Sequence, residues 1–172
     1  MQIHPNGDLH GVALIAPIMV ALVYLAVCSL FKEPNRRHFN AIMIAGAGAA
    51  YLSGGFGLWE FAFNAILTYL AFQGLRSYSF IGIGWLLHTG WDVMHHWYGN
   101  PIIPFQPTSS LGCAICDPVI ALWCFAGGPS VFDLMRHPAR WRLAPHAAAS
   151  WRILPASESH RDSRSRSSAP AN

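Results

Sequence analysis

The stretch FIGIGWLLHTGWDVMHHWY, residues 80–98, is apolar enough to read as a membrane-spanning helix, yet it carries His88, Asp92, His95 and His96. Ionisable groups at bilayer depth are costly, so they are kept where they have partners and a purpose. A helix turns about 100° and rises about 1.5 Å per residue. Asp92 therefore lies about 40° round the axis from His88, and His95 about 20° the other way. These three share a stripe, and His96 lies at its edge, about 80° away.

Composition sets the frame around that stripe. The chain has 172 residues, of which 53% are hydrophobic and 11% charged. A soluble domain carries about 25% charged residues. Less than half of that leaves too little polar surface to cover a globule in water. The expected fold is all-α: a polytopic membrane bundle of about five transmembrane helices over residues 1–136, followed by a disordered tail over 137–172. The expected spans are Leu9–Phe31, Phe39–Ser53, Gly57–Leu75, Phe80–Tyr98 and Cys113–Phe132. Phe39 to Leu75 is too long for one helix, and Gly54-Gly55 supplies the break.

With five spans, all 11 Lys and Arg fall on one side: Lys32, Arg36 and Arg37 after the first, Arg76 after the third, and the rest after the fifth. The positive-inside rule makes that side the cytoplasm, so the N-terminus is expected outside and the C-terminus inside. The first span is not read as a cleaved secretory signal, because no Lys or Arg precedes it. The expected location is the cytoplasmic membrane, with the tail in the cytoplasm and membrane lipids as neighbours. The Ser163–Arg166 run reads as a solvated basic tail, so no nucleic-acid partner is expected. Ala45–Ala50, Gly82, Gly84 and Gly90 are small residues that let helix backbones approach closely.

Other polar groups converge on the level of the stripe. Glu60 begins the third span with Asn64 one turn on, and Asp117 lies between Cys116 and Pro118. Asp117-Pro118 fits an N-cap followed by Pro at the first helical position. Alternatively the helix starts near Ser109 or Ser110 and Pro118 kinks it. Imidazoles and carboxylates at i, i+4 and i+7 can meet on one metal ion. The expected ligands are His88, Asp92, His95 and His96, with Asp117 or Glu60 as a further ligand or general base. Such a set suits zinc, which would activate water for hydrolysis, or iron, which would drive oxidation of a lipid or small apolar substrate.

Three other readings compete. Cys113-Ala114-Ile115-Cys116 is a CxxC pair at the outer end of a helix, where a thiolate is stabilised. It could serve thiol–disulfide chemistry, form a static disulfide or join the metal. Intramembrane Asp and His also mark proton or ion transport. Five spans show no inverted repeat, so a pathway of that kind calls for a homo-oligomer. Plain interhelical hydrogen bonding is the fourth reading.

His88–His96, Gly99-Asn100-Pro101, Ser109–Pro118, Lys32-Glu33-Pro34 and Tyr51–Gly55 together resemble an uncharacterised family of small bacterial integral-membrane proteins, domain of unknown function 6010. The resemblance covers Leu9 to about Gly128. It implies a bacterial membrane protein and carries no catalytic assignment.

Overall fold

A computed structural model describes residues 7–52, 55–103 and 105–137, with side chains from residue 14 onward. It contains α1 (Gly7–Ser29), α2 (Asn35–Gly48), α3 (Leu58–Gly74), α4 (Tyr78–Trp97), α5 (Ser109–Phe125) and the short α6 (Val131–Arg136). Among the described residues there is no strand, so the all-α expectation holds. The expected tail lies, apart from His137, outside the described residues.

The five expected apolar spans correspond to α1 to α5, with shifted ends. Among the described residues, however, no helix is long and apolar enough to cross a membrane. The tertiary folding explains part of this. α2 stops at Gly48 instead of running to Ser53. The fifth span divides: α5 ends at Phe125, and Phe132 belongs to α6. Gly127 and Gly128 end α5 with φ of 86° and 60°. Their N–H groups return to the carbonyls of Cys124 and Trp123, at 2.8 and 3.0 Å. That αL closure satisfies the last carbonyls of the helix. Pro118 lies inside α5, so Asp117 is a mid-helix residue and not an N-cap.

Local chemistry fixes the other helix starts. The Ser77 hydroxyl caps α4 through the Ser79 N–H, and Ser130 caps α6 through Asp133. α3 begins after Gly57, and the Glu60 side chain reaches back to accept the Phe56 N–H at 3.1 Å. A carboxylate in a first helical turn also complements the helix dipole.

α4 is the central helix, packed against α5, α3 and α2, while α1 lies on α5. The close approach expected from small residues is real at Gly84 and Gly48. A Cβ on Gly84 would lie 2.7 Å from Ile44 Cγ1, and one on Gly48 2.9 Å from Leu67 Cβ. Gly90 and Gly46 have no such neighbour. Ile44, Leu67 and Ile81 fill the apolar core.

The α1–α2, α3–α4 and α5–α6 junctions meet at one end. Arg36 donates to the Gly128 carbonyl at 2.8 Å, Arg37 to Leu75 at 3.0 Å, and Tyr78 to Glu33 at 2.7 Å. Around that apolar core, large apolar side chains also face outward and several ionisable ones inward. Leu14, Ile15, Met19 and Val23 of α1, Trp59 and Phe61 of α3 and Leu122 of α5 point outward. Asn40, Glu60, His88, Asp92, His95, Ser110 and Asp117 point inward.

Candidate metal centre

His88 is the hub of the interior. Its Nε2 lies 3.0 Å from the Ala47 carbonyl of α2. A carbonyl only accepts, so Nε2 carries a proton and donates it. Nδ1 then points at two carboxylates, 2.7 Å from Asp117 Oδ2 and 2.9 Å from Asp92 Oδ2. Asp92 is one turn along α4, and Asp117 is supplied by α5, the closest-packed neighbour of α4. The three donor atoms lie within 4.8 Å of one another, and all three residues are buried.

The other Asp92 oxygen, Oδ1, accepts a 2.6 Å hydrogen bond from the Tyr51 hydroxyl. Asp92 Oδ2 is buried, and its polar neighbour is His88 Nδ1, which it shares with Asp117 Oδ2. This shared nitrogen matters for the chemistry. A neutral imidazole lone pair and two carboxylates cannot face each other in a dry interior without positive charge between them. Two protons would neutralise the set, and so would one divalent cation. Among the described residues, the cluster could hold a metal.

The arrangement fits a metal in its outer groups. Ligating histidines donate their second ring N–H to a carbonyl or carboxylate, and ligating carboxylates are themselves hydrogen-bonded. Ala47 and Tyr51 supply those contacts. The present spacings are hydrogen-bond lengths. A tetrahedral ion with ligands at about 2.0–2.2 Å sets them about 3.3 Å apart, so binding would open the triad by roughly 0.5 Å.

His95 does not join this set. Its Nε2 lies 3.0 Å from Glu60 Oε1, and its ring stacks on Tyr51 with centroids 3.6 Å apart. Glu60 Oε2 accepts the Trp91 indole N–H at 3.0 Å. Glu60 and His95 thus form a second buried pair, linked to the triad through the Tyr51 ring. His96 belongs to neither cluster, and its Nδ1 is buried without a partner. The structure brings His88 and Asp92 of the stripe together with Asp117, and places His95 apart from them, against Glu60 of α3 and Tyr51 in the turn after α2. Cys113 and Cys116 are unpaired thiols, not a disulfide, within electrostatic reach of Asp92 and Asp117.

Sequence reasoning missed Tyr51 and the Ala47 carbonyl as parts of the site. Tyr51 falls near the end of the expected second span, and no spacing ties it to Asp92 across 41 positions. Replacing Tyr51 by Phe keeps the stack on His95 and removes the donor. A buried acceptor left unsatisfied costs about 1–3 kcal/mol. Tyr51→Phe is expected to lower unfolding free energy by that amount in detergent, and an unchanged melting temperature would refute the assignment.

Among the described residues the fold and site define a class: an all-α bundle whose interior carries a His–Asp–Asp cluster and whose surface presents many large apolar side chains. The chain belongs to the family of unknown function DUF6010, whose model matches residues 12–130. That span holds all the site residues and stops before α6. No curated protein and no solved structure matches the chain.

Proposed function

We propose that this chain is an integral protein of the bacterial cytoplasmic membrane whose His88–Asp92–Asp117 centre binds a divalent transition-metal ion, zinc or iron. The observation that carries the reading is the buried convergence of His88 Nδ1, Asp92 Oδ2 and Asp117 Oδ2 within 4.8 Å of one another. One divalent cation with a neutral imidazole and two carboxylates sums to zero charge. Three protein donors also leave a coordination position open for water or substrate, as catalytic sites do. A zinc there supports hydrolysis, and an iron supports oxidation, of a lipid or small apolar substrate.

Two features support the membrane assignment. Large apolar side chains face outward while ionisable ones face inward, as expected for a bundle solvated by lipid. Lys32, Arg36, Arg37 and Arg76 gather at the helix-junction end, which the positive-inside rule assigns to the cytoplasm. The apolar band in this reading belongs to the assembled surface, not to each helix alone.

A second reading rests on the 2.7 and 2.9 Å spacings, which suit protons. Two protons on the triad would make it a proton-loading centre of a transport or binding component.

Elemental analysis separates the two. The full chain is purified in detergent from alkaline-carbonate-washed membranes, without chelator or metal-affinity tag. The expected result is near-stoichiometric zinc or iron that is lost in Asp117→Asn and retained in His95→Ala. Metal-free protein that takes up neither ion on titration would sink the metal centre and leave the proton reading. Loss of the chain from washed membranes would sink the membrane assignment.

A further inference from the structure

A pocket of about 540 Å³ opens between α1, the segment before α5 and the first two turns of α5. Pro17, Val20 and Ile103 form apolar walls, and among the described residues no charged side chain lines it. Gln106, Thr108 and Ser109 stand at the α5 start, with Gln106 bonded to Thr108 at 3.1 Å. Cys113 and Cys116 lie deeper, with Cys116 about 10 Å along the helix from Ser109. The volume falls in the range of small-molecule sites, and an uncharged apolar lining selects an uncharged apolar occupant.

Two neighbours say what that occupant is and where it leads. On one side, Val20 is 61% exposed and Ile103 41%, continuous with the outward apolar face of α1. On the other, Cys116 directly precedes Asp117, and Cys113 stands one helical turn before it, on the same face. We infer that this pocket takes a single acyl chain of a bilayer lipid, entering sideways between α1 and α5. Its methyl end lies against Cys113 and Cys116, beside the His88–Asp92–Asp117 centre. The inference rests on the membrane reading above and concerns what occupies the space beside that centre.

The test reconstitutes the full chain in phosphatidylcholine vesicles that include a phosphatidylcholine with a diazirine at the methyl end of one chain. After illumination, the adducts are mapped by mass spectrometry. The expected adducts concentrate on residues 16–20 and 102–116, above the level at Trp59 and Phe61 on the outer surface. Gly112→Phe should reduce them several-fold. A Cβ at Gly112 meets only Pro17, at 3.9 Å, so the larger ring enters the pocket and not the core. Ile103→Trp narrows the opposite, exposed wall and should act in the same direction. Adducts spread evenly over the outward surface, or unchanged in both variants, would overturn the inference. Metal content measured on the same samples keeps the two readings apart. Failure of the metal centre leaves the adduct pattern intact, and failure of the pocket leaves the metal content intact.

Discussion

His88→Ala is expected to be the most damaging single substitution in the interior, lowering stability by about 3–5 kcal/mol, because removing one partner of a buried charge cluster leaves the others uncompensated. Asp92 and Asp117 would then face each other across the vacated ring with no cationic or donor group between them. The distances support this: both carboxylate oxygens are within 3 Å of the same nitrogen, and neither residue is more than 3% exposed. The direct check is denaturant or thermal unfolding in detergent, beside the triple variant His88→Ala/Asp92→Asn/Asp117→Asn. The triple variant removes the stranded charge, so it is expected to recover much of the loss. If His88→Ala were as stable as the parent, the triad would not be a charge-neutralised unit. Metal content adds a separate readout, since neither variant should retain a stoichiometric ion.

Gly84→Ala should have the second largest effect, through the backbone that positions the hub. The added Cβ would lie 2.7 Å from Cγ1 of the fully buried Ile44. Overpacking of this kind costs about 1–3 kcal/mol. Gly84 is one turn before His88 on α4, and Ile44 is one turn before Ala47 on α2. Wedging the helices apart at that level stretches the 3.0 Å His88–Ala47 bond, which fixes the imidazole orientation. Loss of such an outer contact typically weakens metal binding 10–100-fold. Metal titration of Gly84→Ala should show a shift of that size. Ile44→Ala in the same chain removes the colliding atom, so the pair should be better than the sum of the two single changes. Additive effects would mean that the close approach does not transmit to the site.

The membrane and metal readings are linked through the same packing. A bundle in water would bury Leu14, Ile15 and Met19 and would expose Glu60 and Asp92. Here the reverse holds. If the surface sits in lipid, an interior charge set that is not neutral has no water to relax into. Charge compensation within the triad is then a folding requirement as well as a functional one.

Much of this was legible in the chain itself. Periodicity and composition determine the all-α fold and the approximate places of α1 to α5, because burying backbone N–H and C=O groups among apolar side chains leaves helix as the local solution. The stripe on residues 80–98 determines that His88 and Asp92 share a face, since that depends only on helical geometry within one element. The clustering of Lys32, Arg36, Arg37 and Arg76 at one end also follows from helix count alone. What tertiary structure decided is which groups meet across elements. Asp117 joins His88 because α5 packs tightly on α4 and runs through Pro118 without a break. His95 lies apart from the triad, where Glu60 and Tyr51 arrive beside it from α3 and the turn after α2. α5 stops at Phe125 because Gly127 and Gly128 turn the chain back to the Arg36 junction. Sequence periodicity reports the face a residue takes on its own helix. The partner on the next helix is set by crossing geometry and by small-residue contacts such as Gly84 on Ile44, which no single-helix pattern encodes.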